Sequence, residues 1–242
     1  YCYFTFTGLS LLFSNISVIA FDLDDTLWPC MPTIHRAEKA TYDWLLQSYP
    51  RITDYYSEQD LVKFRHGFMN SSEKYRIDLS LMRKDMLAAL AIEFDYEVEL
   101  MVEQGFELFY RLRHDVSFYD DVFPVLDKLK GHYRLGSISN GNASAGLTAL
   151  NNYFDYYINA ADIMKRKPDR EIFQAFCDFL KIKPQQCLYV GDDPVYDVVG
   201  ASRAGMQTIW VNRTYNIWPQ ELYPAQAEIN NLHQLPELLQ IV

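Results

Sequence analysis

An apolar run at 18–21 is followed at once by Asp22, Leu23, Asp24, Asp25 and Thr26. Acids crowded at a strand end repel one another, and a desolvated carboxylate is costly unless it is paired, protonated or bound to a cation. This cluster therefore calls for a positive partner. Companions recur along the chain: Ser139, Asn140 and Gly141 in "SISNGN", Lys167 directly before Pro168 in "MKRKPDR", and Asp192, Asp193 and Asp197 in "VGDDPVYDVVGA". Gly141 lets backbone N–H groups approach an anion. Carboxylates, a hydroxyl and a lysine in one place suit a small anionic substrate whose charge is offset by a metal or the lysine.

Each of these groups closes or follows a short β-branched and aromatic run. The segments 17–22, 133–139, 156–160, 186–192 and 207–211 read as strands. Helical patterns lie between the later ones, most clearly "KPDREIFQAFCDFLKI", with Pro168 at a helix start and Ile172, Phe173, Phe176, Phe179 and Leu180 on one stripe. Buried strands alternating with amphipathic helices predict an α/β fold with a doubly wound, Rossmann-like parallel sheet. Ligands bind at the carboxyl ends of such strands, so the four groups should meet along one edge of the sheet.

The first connection breaks this rhythm. From Leu27 to about Asp120 the pattern is helical, as in "TIHRAEKATYDWLLQSY" and "LSLMRKDMLAALAIEF". Strand-to-helix connections normally take a few residues, so this stretch must form a module of its own. The expected division is a catalytic core of 1–28 and 118–242 with an inserted α-helical domain at 29–117. The core resumes with "DDVFPVLDKLKG", whose Val122, Phe123, Leu126 and Leu129 form a buried side and whose Gly131 ends the helix.

Composition excludes several classes. A chain of 242 residues with 49% hydrophobic and 22% charged residues can bury a sizeable core, and a net charge of −10 argues against nucleic-acid binding. Cys2, Cys30, Cys177 and Cys187 form no C-x-x-C pair and imply neither a zinc site nor a disulfide framework, which fits a cytoplasmic protein. The uncharged start, "YCYFTFTGLSLLFSNISVIAF", lacks a basic leader and a small-residue cleavage site. It reads as a tail leading into a core strand rather than a signal peptide or membrane anchor, and no membrane partner is expected.

In this order the groups resemble the four motifs of the haloacid dehalogenase superfamily: "DLDDT" at 22–26, "SISN" at 137–140, Lys167 of "KRKP", and "GDDPVYD" at 191–197. The helical insertion between the first two is similar to the C1-type cap of that superfamily. The resemblance spans nearly the whole chain. Its first and last motifs are specific, whereas the serine and lysine count only in register. It implies a Mg²⁺-dependent phosphatase in which Asp22 is the nucleophile, Asp24 the general acid and base, and Ser139, Asn140 and Lys167 meet the phosphoryl group. Mg²⁺ would take Asp22, the Asp24 carbonyl and Asp192, with Asp197 as the outer acid. Asp193 competes for that outer place, or caps the following helix.

Over "FDLDDTLW", "SNGN" and "GDDPVYDVVGA" the chain most resembles bacterial phosphatases acting on flavin-pathway phosphates. That implies a small phosphorylated metabolite as partner, 5-amino-6-(5-phospho-D-ribitylamino)uracil or FMN, and a place in riboflavin biosynthesis. Sugar phosphates, nucleotides and phosphoglycolate are alternative substrates, and a phosphomutase needs the same motifs. Dehalogenases of the superfamily lack the second acid of D-x-D, so Asp24 argues against that chemistry. A phospho-receiver module is much shorter and places its phosphorylated Asp after the third strand. Most of the insertion's aromatics read as its own core. Trp28 either lines the site or packs.

Overall fold

The computed structural model describes Phe13 and residues 15–241. The uncharged start, with Cys2, lies largely outside these described residues. Among them, Cys177 and Cys187 are buried free thiols, and no helix is long and apolar enough to cross a membrane.

Among the described residues, six parallel strands form one sheet in the order β3-β2-β1-β4-β5-β6: β1 (Val18–Phe21), β2 (Arg134–Ser139), β3 (Tyr156–Asn159), β4 (Cys187–Gly191), β5 (Gln207–Val211) and β6 (Ala227–Ile229). The central strands β1 and β4 are buried along their whole length, which is why they read as unbroken apolar runs. The sheet grows outward from β1 on one side and from β4 on the other. The order therefore reverses between them, with Phe21 level with Val190 and Asp22 N–H donating to Val190 O at 2.9 Å. A crevice at the carboxyl ends of β1 and β4 is the expected ligand position. β6 was not foreseen; three residues are too few to carry a pattern.

By contact density the chain divides into two units. One runs up to Pro29 and resumes over Phe118–Asn140 and Ser144–Val242; the other is Cys30–Ser117 with Gly141–Ala143. The second unit is helical: α1 (Cys30–Ser48), α2 (Pro50–Tyr55), α3 (Glu58–Asn70), α4 (Glu73–Ile77), α5 (Leu79–Glu93) and α6 (Val98–Arg113). Its core gathers Leu45, Ile52, Leu87, Leu90 and Met101, with Trp44, Phe64 and Phe106 packed around them. α1 and α6 approach closely at Gly105, where a Cβ would come within 2.7 Å of the Trp44 ring. Ser57 and Asp60 cap α3 reciprocally.

In the sheet unit α7 (Val122–Leu129) follows the insertion, α8 (Ala160–Ile163) and α9 (Arg170–Leu180) lie between β3 and β4, a π-helical turn (Pro194–Val199) leads into α10 (Gly200–Ala204), and α11 (Gln234–Leu238) comes last. Several details differ from the pattern reading. α9 starts at Arg170 with Asp169 as its cap, not at Pro168. Its Ile172, Phe173, Phe176 and Leu180 are buried, but Phe179 is 61% exposed and stacks on Tyr156 with ring centroids 3.7 Å apart. In α7, Val125 is buried while Phe123 is half-buried against Phe118 and Tyr153. α7 ends at Leu129, and Gly131 lies in the turn where His132 and Tyr133 N–H return to Leu129 O.

Candidate active site

The chain leaves β1 through Asp22, whose side chain stays buried, and then turns sharply. Leu27 N–H donates to Leu23 O at 2.8 Å and Asp25 N–H to Trp28 O at 2.7 Å, with Asp25 at a φ of 61°. Leu23 and Leu27 are fully buried, so the turn hangs from the core by its apolar residues while Asp24 is half-buried. Arg213, beyond β5, braces the turn: its guanidinium donates to Thr26 O at 2.9 and 3.1 Å and holds Asp121 with two bonds.

Lys167 lies at the centre. Its Nζ is 2.5 Å from Asp22 Oδ1, 2.6 Å from Asp197 Oδ1 and 2.9 Å from the Tyr189 hydroxyl, and the residue is only 2% exposed. Asn140 fixes the lysine from behind, accepting Lys167 N–H at 2.7 Å and donating to Lys167 O at 3.0 Å. Tyr189 donates to Ile138 O at 2.9 Å. No expectation included Tyr189, although a lone hydroxyl inside the otherwise apolar "CLYVG" was the available signal, since a buried tyrosine oxygen needs a partner.

After β4, Gly191 makes room for Asp197: a Cβ at 191 would meet its carboxylate at 2.5 Å. Asp193 N–H donates to Asp197 Oδ2 at 2.9 Å. The Asp193 carboxylate faces the other way, accepting Val195 and Tyr196 N–H at 2.7 Å each as the cap of the π-helical turn. Asp192 accepts the Thr26 hydroxyl at 3.0 Å, and its carbonyl accepts Trp210 Nε1 at 2.7 Å. Ser139 closes β2 and is buried. Trp28, left open between lining and packing, is fully buried and donates Nε1–H to Asp24 Oδ1 at 2.9 Å.

Oxygens of Asp22, Asp192 and Asp197 lie within 4.8 Å of one another. Three acids with one ammonium leave an excess of negative charge. Burial raises the Asp22 pKa to about 7, Lys167 pulling it down while Asp197 and Asp24 push it up. Burial, then Asp22 and Asp197, raise Asp192 to about 9. Burial alone would lower Lys167, but Asp197 and Asp22 override it, so its pKa is raised and it stays an ammonium. Such a set of hard oxygen donors, unwilling to ionise by itself, suits an oxygen-binding divalent cation.

Residues 16–205 match the haloacid dehalogenase-like hydrolase family. The chain belongs to that family. It is 28% identical to 5-amino-6-(5-phospho-D-ribitylamino)uracil phosphatase YigB of Escherichia coli (strain K12) over 235 residues, 93% of this chain and 97% of YigB. Among solved structures it is similar to a 2-haloacid dehalogenase from Pseudomonas syringae pv. Tomato DC3000 (TM-score 0.86, 33% identity, 93% of this chain and 98% of the other). A haloacid dehalogenase-family phosphatase from Thermococcus onnurineus is also similar (TM-score 0.68, 26% identity, 93% and 98%). Within its family the chain is an enzyme of the phosphatase type.

Proposed function

We propose that the protein hydrolyses a small phosphomonoester through a phosphorylated Asp22, with Mg²⁺ as cofactor, and that its substrate is a flavin-pathway phosphate. The observation that carries the chemistry is the Lys167 ammonium seated between Asp22 and Asp197, with Asp192 beside them and Asp24 two residues beyond Asp22. Asp22, Asp192 and Asp197 would hold the cation. When bound, Mg²⁺ supplies positive charge against the dianionic phosphoryl group and lets a carboxylate approach it.

The residues divide the work between two displacements. A carboxylate oxygen of Asp22 attacks phosphorus and the bond to the ester oxygen breaks. Asp24, protonated, gives its proton to that departing oxygen. A water then attacks phosphorus, Asp24 takes the proton back, and the bond to Asp22 breaks to release inorganic phosphate. Such acid and base assistance is worth roughly 10² to 10⁴ in rate. Lys167 stays charged throughout, which keeps Asp22 oriented and offers a donor to a phosphoryl oxygen; Ser139 serves as a second donor. Asn140 and Tyr189 act through Lys167 by fixing its backbone and its ammonium.

The substrate reading rests on the full-length likeness to YigB, whose name specifies 5-amino-6-(5-phospho-D-ribitylamino)uracil. We infer that this compound or FMN is the substrate class. The test is steady-state phosphate release with Mg²⁺ across flavin phosphates, sugar phosphates, nucleotides and phosphoglycolate, ranked by kcat/KM. A non-flavin compound leading by about tenfold, some 1.4 kcal/mol in transition-state binding, would overturn the substrate. Halide release from 2-haloacids with no phosphate release from any ester would overturn the phosphomonoester chemistry.

A further inference from the structure

We propose that Trp28 is a positioning residue for proton transfer: its indole N–H holds Asp24 Oδ1 so that Oδ2 carries the shuttled proton. The proposal rests on the phosphomonoester reading above and adds a residue to it.

The bond is 2.9 Å long, and both ends belong to one short turn. The indole has little freedom. Trp28 is fully buried, meets the Phe118 ring edge-to-face at 5.2 Å and 89°, and Phe118 leans in turn on Phe123 at 4.7 Å. The backbone between Asp24 and Trp28 is closed by the Asp25 N–H to Trp28 O bond. Tyr119 N–H donates to Leu27 O at 3.1 Å and Arg213 clamps Thr26 O. The donor is thus set before any substrate arrives.

An indole nitrogen only donates, and in a neutral carboxyl group the carbonyl oxygen accepts more strongly than the hydroxyl oxygen, so the bond to Oδ1 favours the proton on Oδ2. With Oδ1 held by Trp28 at 2.9 Å, Oδ2 is the oxygen positioned to hand over and take back the proton in both half-reactions. The same bond selects one side-chain rotamer of Asp24. Misplacing an acid by about 1 Å can cost on the order of 10²-fold, so a fixed rotamer has kinetic value. A purely structural bond would satisfy the buried indole and nothing more. The two readings differ in which substrates suffer when the N–H is removed.

Trp28→Phe keeps an aromatic ring in the site and deletes the N–H. Two esters separate the outcomes: p-nitrophenyl phosphate, whose leaving group departs as a stable anion needing no proton, and glycerol 2-phosphate, whose alkoxide must be protonated as it leaves. The expected result is a fall of about tenfold or more in kcat/KM for the alkyl ester and less than about threefold for the aryl ester, with an unchanged Mg²⁺ half-saturation. Equal losses on both esters, or no loss on either, would overturn the positioning role. In an Asp24→Asn background the same replacement should add no further discrimination. Should Trp28→Phe not fold, replacing Trp28 by its benzothienyl analogue keeps the bicyclic ring, removes the N–H and is read the same way. A wild-type protein that cleaves neither ester defeats the phosphomonoester reading, whereas activity on both with an unaltered ratio in the variant defeats only the role of Trp28.

Discussion

Each of the two units contains a cluster of ionisable groups largely withdrawn from water, and the clusters differ in how they settle their charge. In the helical unit Glu38 lies 2.7 Å from Arg65 Nε and 3.4 Å from Arg83 Nη2, and the Arg83 guanidinium sits 3.3 Å from the centroid of the Phe109 ring. Burial lowers the Arg83 pKa, against the pull of Glu38, but only to about 10, so Arg83 keeps its charge at neutral pH. At the sheet edge three acids face one lysine, and burial with mutual repulsion raises Asp22 to about 7 and Asp192 to about 9, so these acids resist full ionisation at neutral pH. Buried charge alone therefore says little about function. A cluster that cannot ionise fully without another cation says more.

The sharpest break in this comparison is Asp22→Asn. It keeps the shape of the side chain and removes the nucleophile, so phosphate release should drop to background while circular dichroism stays that of the wild type. A folded variant with near-normal turnover would refute attack by Asp22. Next comes a pair of variants at the same sheet edge. Asp24→Asn should lose roughly 10² to 10⁴ in turnover with an unchanged Mg²⁺ requirement, since only acid and base help is removed. Asp192→Asn should instead raise the Mg²⁺ concentration needed for half-maximal activity. Equal metal requirements in both would mean that the roles are wrongly divided.

The helical cluster should answer differently. Glu38→Gln strands two guanidiniums and should lower the unfolding free energy by about 3 kcal/mol or more. Combining Glu38→Leu, Arg65→Leu and Arg83→Met in a single chain should restore most of that stability, because no charge is then left unpaired. Urea unfolding measures both. A triple variant no more stable than Glu38→Gln would show that these ions do more than balance one another.

The sequence made the outline of this site readable because its chemistry follows strands: the acids come directly after β1 and β4, Ser139 closes β2, and Lys167 lies in the segment after β3. What escaped depended on side-chain reach. Tyr189 reads as one more core aromatic until its hydroxyl is seen 2.9 Å from Lys167. Asn140, expected at the substrate, engages both ends of its amide with the Lys167 backbone, a pairing across 27 residues that no spacing reveals. Asp193 and Asp197 were competing candidates of like type and neighbouring position; the glycine at 191 and the turn after it bring Asp197 into the acid group and aim Asp193 at the turn's own N–H groups. Phe179 obeys helical periodicity, yet is largely exposed because it stacks over the edge strand β3 instead of entering the core.

A further expected effect is a dependence of stability on pH that only the sheet-edge cluster should show. An unfolded chain releases the Asp22 and Asp192 protons near the ordinary value of 3.8, while the folded protein keeps them to about 7 and about 9. Between those limits the folded state binds more protons than the unfolded one, so its stability falls as pH rises. The raised Lys167 pKa acts only above the ordinary 10.5, outside this window. His114, whose pKa burial lowers, works in the opposite sense near pH 6.5. The measurement is therefore a difference: Tm of the wild type and of Asp192→Asn in EDTA at pH 5, 7 and 9. The wild type should lose Tm relative to the variant at each step, His114 being common to both. Mg²⁺ bound to these acids would displace those protons and stabilise only the folded state, so the Tm it adds to the wild type should widen from pH 5 to pH 9. Parallel curves for the two proteins in EDTA would mean that Asp192 is already ionised in the folded chain and that the sheet edge, like the helical cluster, settles its own charge.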